Sequence, residues 1–332
     1  MDQNKIRFAT IGTSRITEKF LNEAVKNSSF QLAAVYSRSR KKAEEFAKKH
    51  HADRCYDNLD DMARDQTIDA VYIASPNAMH YAQAVQFIAA GKHILCEKAL
   101  CSNSHEAEQM FDLAEKNQVV LLEAVRSLHD PGFAMIKDCL DKNKIGKIRR
   151  ASFRYCQYSS RYDDFKAGIV QNIFDPKCSA GALMDIGVYC VQPMAALFGE
   201  PESLHPVSVI LEGGIDGAGT VTADYGDMIG ELVYSKITES HLSSEIQGES
   251  GVILIDSIAS PSKIEIRYYN GKTEKSESKA GESNLKYELQ TFIEAVRGQI
   301  NTEQYREISL QSMRMMDQIR KICGIRFPAD NF

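Results

Sequence analysis

"IRFATIGTSRITEKFLNEAV" (residues 6–25) is a mostly apolar run, a single glycine, two small hydroxyl residues and then a helical pattern from Ile16 to Val25. A strand covered on both faces reads as a continuous apolar run, because neither side of its pleat meets water. The same texture returns four times. "QLAAVYS" (31–37) leads into "RKKAEEFAKKHH", and "DAVYIAS" (69–75) leads into "AMHYAQAVQFIAAG", where Tyr81, Val85 and Ile88 keep helical spacing and Gly91 is the stop. "KHILCE" (92–97) precedes "SHEAEQMFDLAEKN", and "VVLLEA" (119–124) closes the series. Apolar runs alternating with amphipathic helices predict a parallel sheet flanked by helices.

The texture changes near residue 125. A helical segment, Phe133 to Leu140, leads into "KIRRASFRYCQYS" (147–159), which alternates as a long strand does. A helix is expected from about Ala182 to Leu197. From Pro206 to Tyr269 turn residues recur at regular intervals, and "QGESG" (247–251) suits a hairpin. Two helices, 284–297 and 309–322, finish the chain, and the polar stretch 271–283 reads as a loop. A chain of 332 residues exceeds one ordinary core. The expectation is an α/β protein: residues 1–125 a parallel-sheet domain, residues 126–332 an α+β domain with a large, mostly antiparallel sheet.

A formal net charge of -5, with no block dominated by Lys and Arg, argues against a nucleic-acid partner. No stretch reads as a membrane span, and Met1–Lys5 lacks the apolar run of a signal peptide. The eight cysteines are scattered without a C-x-x-C pair, which suits reduced thiols in the cytoplasm and offers no metal site.

The first turn sits where a dinucleotide fold binds phosphate, yet of the three usual glycines only Gly12 is present, followed by Thr13, Ser14, Arg15 and Ile16. On pattern alone, a plain strand–turn–helix would look the same. The second strand ends "VYSRSRKK", with Ser37 and Arg38 and no carboxylate until Glu44. An acid there would suit the ribose hydroxyl of NAD, whereas a guanidinium can grip a 2′-phosphate with two hydrogen bonds. The expectation is NADP(H) over NAD(H).

Four stretches carry a family resemblance. "CEKAL" (96–100) resembles the E-K-P motif of the Gfo/Idh/MocA family, the glucose–fructose oxidoreductase and inositol dehydrogenase group. "ASPNAMHYAQA" (74–84) is similar to its T-P-N-x-x-H segment, "SAGALMDIGVYCV" (179–191) to its G-G-x-L-x-D-x-G-x-Y/H segment, and "EIQGESGVILI" (245–255) to a strand–turn–strand of its second domain. Within the family, "LLEAVRSLHDP" (121–131) and Tyr189 look nearest the NADP-linked dihydrodiol and sugar dehydrogenase branch. The resemblance implies a Rossmann domain followed by a domain whose open-faced sheet forms a homodimer or homotetramer. It also implies hydride transfer between nicotinamide and a secondary alcohol or carbonyl of a sugar, polyol or cyclic diol, without a metal. Ala99 departs from the usual proline, Ser14 from a common glycine, and the basic residue is Arg126 where many relatives carry Arg near 128.

When hydride moves, the alcohol oxygen must lose or gain a proton, and a nearby cationic donor stabilises the developing alkoxide. Lys98, at the carboxyl end of a strand where such sheets gather ligands, is the expected proton donor and acceptor. Glu97 precedes it and is expected to orient or neutralise it. Asp185 and Tyr189, four apart on the expected helix, share one face and would position the substrate, and the Tyr189 phenol is the alternative to Lys98 as the group that passes the proton. By spacing alone, a helix-terminal Asp and a half-buried core Tyr are the better reading, and the match to the family segment reverses that order. Ser75, Asn77 and His80 are candidates for the cofactor edge, although a helix-cap Asn and an exposed His read similarly. The segment 159–176 is expected as a substrate-facing loop, with Arg161, Tyr162 and Asn172 candidates for specificity. Two rival functions remain: a non-catalytic NADP(H)-sensing regulator, and an NAD-linked inositol-type dehydrogenase.

Overall fold

The computed structural model describes residues 5–278 and 284–330, which divide into two compact units. Among the described residues, the first comprises 5–101, 105–124 and 285–307, and the second 102–104, 125–278, 284 and 308–330.

In the first unit the elements run β1 (Ile6–Ile11), α1 (Arg15–Ala24), β2 (Phe30–Tyr36), α2 (Arg40–His50), β3 (Arg54–Tyr56), α3 (Leu59–Arg64), β4 (Ala70–Ile73), α4 (Asn77–Ala89), β5 (His93–Glu97), α5 (Ser104–Lys116) and β6 (Leu121–Ala124). The six strands pair in parallel in the order β3-β2-β1-β4-β5-β6, the order of a dinucleotide-binding sheet. Every residue of β4 and β6 is buried, as an apolar run requires. The sequence pattern does not disclose β3. It is a three-residue edge strand held by pairing with Ala34–Tyr36 and by Asp65, which accepts from Arg54 at 2.8 Å, from the Tyr56 phenol at 2.7 Å and from the Thr67 hydroxyl at 2.7 Å. A late helix, α9 (Leu285–Val296), belongs to this unit although it lies far beyond residue 125. Its Leu289, Phe292 and Ile293 join the core of Phe8, Phe20, Phe30 and Tyr72, with the Phe8 and Phe292 rings 5.6 Å apart.

The second unit holds α6 (Pro131–Asp141), β7 (Ile148–Cys156), α7 (Arg161–Lys166), α8 (Val188–Phe198), β8 (Ser203–Ile210), β9 (Asp216–Asp224), β10 (Ile229–Ser235), β11 (Ser244–Gly248), β12 (Gly251–Ile255), β13 (Lys263–Tyr268), β14 (Thr273–Glu277) and most of α10 (Glu303–Cys323). Its eight strands form one sheet, β14-β13-β12-β11-β7-β10-β9-β8, in which only β7 and β10 run parallel. Along β9, buried and exposed residues alternate from Gly219 to Asp224, so one face is covered and one is open. The expected loop 271–283 contains β14; residues 279–283 lie outside the described residues. Contrary to the reading of the sequence, Pro176–Phe198 is long and apolar enough to cross a membrane by length and composition, but most of its apolar stretch is buried inside the fold.

Candidate active-site residues in the two units

In the first unit the carboxyl ends of β1, β2 and β4 border an open cleft of about 560 Å³. Gly12, Thr13, Ser14, Ser37, Arg38 and Ser75 line it, together with Lys42, which the sequence reading did not single out. Gly12 has φ +106°, and a Cβ there would lie 2.7 Å from the Ala74 carbonyl oxygen. Only glycine therefore lets the turn pass so close to the end of β4. Ser14 is the N-cap of α1 and makes no side-chain cap hydrogen bond, so the amides of the first helical turn remain available to an anion at the positive end of the helix. At the β2 end, the Ser39 hydroxyl accepts from the Lys42 amide at 3.4 Å, and the first turn of α2 carries no acid. Glu44, the first carboxylate along α2, pairs with Arg40 at 2.8 Å. Arg38 and Lys42 are thus the charged groups in the lining, and none of the lining residues is an acid. These features fit a dinucleotide bearing a further phosphate.

Arg15, Ile16, Asn77, His80, Glu97 and Lys98 are not among the residues lining that cleft. Asn77 is half-buried at the first position of α4. His80 is fully buried, not exposed, and its ring nitrogens lie 2.8 Å from the Ser75 carbonyl and 3.1 Å from the Ala99 carbonyl. It bridges the end of β4 to the segment after Lys98. Burial lowers the His80 pKa, with the Lys98 charge acting in the same direction.

Lys98 leaves the end of β5 half-buried, and the Lys98–Ala99 peptide is cis. The residues around it are firmly tied. The Leu100 amide donates to the buried Glu123 carboxylate at 2.9 Å, and the Cys96 thiol lies 3.7 Å from the Leu100 carbonyl. Glu97 is buried and accepts from the Tyr72 phenol at 2.5 Å. With His80, these contacts anchor a segment that lacks the proline usual in the motif it resembles. The Cys96 thiol is pushed well up by burial and by Glu123 and Glu97, so it stays neutral and is a packing group.

In the second unit, residues Leu183–Gly187 form a π-helical turn that runs directly into α8, where the sequence suggests one uniform α-helix. Asp185 lies in the wide turn and Tyr189 just beyond it. Two residues distant in sequence brace it. The Asp216 carboxylate accepts from the Leu183 amide at 2.7 Å, and Gly187 packs so tightly that a Cβ there would meet the Tyr234 ring at 3.0 Å. Wide turns of this kind occur often at functional sites. Asp185 pairs with Lys236 at 2.7 Å. Tyr189, 8% exposed, meets Tyr155 edge-on with centroids 5.7 Å apart, and the Arg126 guanidinium lies 5.4 Å from its ring centroid.

The segment 159–176 is more ordered than the expected loop. It contains α7 and a short three-ten turn, Asn172–Phe174. Tyr162 is half-buried among Tyr158, Phe165 and Phe174, while Arg161 and Asn172 are exposed. Arg126 and Tyr155 beside Tyr189, and Asp216 and Lys236 beside the Asp185 turn, are not among the sequence candidates, and Arg126 enters there only as a departure from the family pattern. Lys236 follows an apolar strand in "ELVYSKI" and reads as a surface lysine; only its 9% side-chain exposure shows otherwise.

The oxidoreductase-family model with an NAD-binding Rossmann fold (GFO_IDH_MocA) matches residues 6–125, and the GFO/IDH/MocA C-terminal domain matches residues 133–254. The scyllo-inositol 2-dehydrogenase (NADP(+)) IolU of Bacillus subtilis is 46% identical over 327 residues, which cover 98% of this chain and 99% of that protein. The trans-1,2-dihydrobenzene-1,2-diol dehydrogenase of Mus musculus is 25% identical over 98% of this chain and 99% of its own. Among solved structures, a 3-ketoreductase from Actinomadura kijaniata in complex with NADP and TDP-benzene superposes with a TM-score of 0.83. It is 21% identical, covers 96% of this chain and 98% of its own, and so corroborates the fold alone.

Proposed function

The chain belongs to the Gfo/Idh/MocA oxidoreductase family, and from that premise we propose that it is an NADP(H)-dependent dehydrogenase of a polyol, acting on a ring secondary alcohol of the inositol type. The observation that carries the cofactor choice is the cleft at the end of β2, where Arg38 and Lys42 stand without an acid. Two cations favour a 2′-phosphate, and a carboxylate that would repel it is lacking among the lining residues. The substrate class is supported by the 46% identity to an enzyme named for scyllo-inositol.

When bound, the nicotinamide accepts or donates the hydride. The chain's own groups handle everything else. Thr13, Ser14 and the first amides of α1 hold phosphate. Lys98 takes the proton of the hydroxyl undergoing oxidation and returns it in reduction. Its ammonium also stabilises the negative oxygen as charge develops. The Asp185 carboxylate accepts from a neighbouring hydroxyl, and the Tyr189 phenol fixes the orientation of the reacting one. Arg161, Tyr162 and Asn172 bear on which ring is accepted.

The open face of the eight-stranded sheet supports a homodimer. It exposes Val207 and Val209 on β8, at 74% and 53%. Sedimentation equilibrium reading a monomer at micromolar concentration would remove that part of the proposal.

The function is tested by steady-state assays with NADP+ and NAD+ against inositols, aldoses and trans-dihydrodiols. Turnover of an inositol with NADP+ preferred supports the proposal. Tight NADPH binding with no turnover on any of the three classes supports a sensor instead.

A further inference from the structure

Lys236 is a charged residue in a place that costs energy to occupy. Its side chain is only 9% exposed, and burying an amine costs free energy unless it finds a hydrogen-bonded partner. Its Nζ donates to Oδ2 of Asp185 at 2.7 Å, while the Asp185 side chain stays 31% exposed. One end of the pair is thus buried and the other is presented outward.

The backbone holds both partners. The Lys236 amide donates to the Gly217 carbonyl at 2.8 Å, and the Lys236 carbonyl accepts from the Ser159 amide at 2.9 Å. The residue before Gly217 is Asp216, whose carboxylate accepts from the Leu183 amide in the turn that carries Asp185. The Asp185 amide donates to the Gly181 carbonyl at 3.0 Å. Two consecutive residues at the start of β9 therefore clasp the lysine through one backbone bond and the turn of its carboxylate partner through another. Such a clasp restrains the carboxylate, as substrate positioning requires of a group on which a substrate is oriented. A buried pair is poor evidence for stability in itself, because desolvation offsets attraction, so its presence asks for another reason.

We propose that Lys236 is a positioning residue of the reaction: a second lysine, distinct from Lys98, that acts on the polyol through Asp185 by holding its carboxylate in place and aimed. This rests on the reading of Asp185 as a substrate-positioning group. Lys236 itself does not touch the reacting carbon or its oxygen. The ring hydroxyl it serves is the one that donates to Asp185, so its effect falls on polyols that carry a hydroxyl there and is small for analogues lacking it.

The test is a double-mutant cycle on the intact protein with Lys236→Met, Asp185→Asn and the pair, measuring kcat and KM for scyllo-inositol with NADP+ and the NADPH Kd by fluorescence. Lys236→Met is expected to lower kcat/KM about 10- to 100-fold, mostly through KM, with the NADPH Kd within about twofold, as befits one charge-assisted hydrogen bond. Lys236→Arg, which keeps the pair, restores most of the loss. The double variant is expected to be no worse than Asp185→Asn alone. If Lys236→Met does not fold, Lys236→Gln takes its place in the cycle. Parental kinetics for Lys236→Met beside an impaired Asp185→Asn overturn the inference and leave the reading of Asp185 standing. Additive losses overturn it too, since Lys236 would then act independently of Asp185. Parental kinetics for Asp185→Asn remove the reading itself.

Discussion

The Tyr72 phenol donates to the Glu97 carboxylate at 2.5 Å, one residue before Lys98. Neighbouring residues at a strand end point to opposite sides. The bond thus ties Glu97 into the sheet of the first unit and leaves Lys98 to the other side. Tyr72 is fully buried and stacked on Phe20, with ring centroids 3.8 Å apart, so the donor is held in place. Burial first, and then Glu97, hold the phenol pKa well above its ordinary value, so it remains a donor at any working pH.

Tyr72→Phe keeps the stack and deletes the donor to a buried carboxylate. A loss of about 1–3 kcal/mol in unfolding free energy is expected. Urea denaturation measures it, and a loss under about 0.3 kcal/mol would mean that Glu97 does not depend on this partner.

Arg38→Ala removes one of two cations from the end of β2 without touching the turn at Gly12. NADPH affinity is expected to fall about 10- to 100-fold, the worth of charge-assisted hydrogen bonds, with NADH affinity nearly unchanged. Fluorescence titration with both cofactors reads the ratio. Equal losses for the two would place Arg38 away from the 2′-phosphate.

Acid should weaken the first unit through Asp65. Burial pushes its carboxyl up, but hydrogen bonds from Thr67, Tyr56 and Arg54 outweigh that and hold it at about 2, below an ordinary value of 3.8. A carboxylate whose pKa is depressed on folding adds stability above the unfolded value and loses it as pH falls through the folded one. The contribution is about 2 kcal/mol, present above about pH 4 and gone near pH 2. Asp65→Asn should therefore be less stable than the parent at pH 7, with the two converging by pH 2. Parallel stability curves across that window would count against the assignment.

The parallel sheet was legible because doubly covered strands announce themselves as apolar runs, and the family motifs lay at their ends. The failures have particular causes. Strand β3 is three residues held by its neighbours, too short to show a period. The amphipathic pattern of α9 tells that one face is buried but not against what; Phe292 on Phe8 supplies the answer only in three dimensions. The wide turn at Asp185 depends on Asp216 and on the ring of Tyr234, both distant in sequence. Lys236 carries no motif. Its importance lies in burial and in one partner, and neither is written in residue order.

The most direct measurement replaces Lys98 with Met and compares kcat for scyllo-inositol oxidation and the NADPH Kd with the parent. A fall of about 10²–10⁴ in kcat, the usual worth of a general acid–base group, is expected, with the NADPH Kd little changed. A variant that turns over polyol at a rate close to the parent's would contradict it.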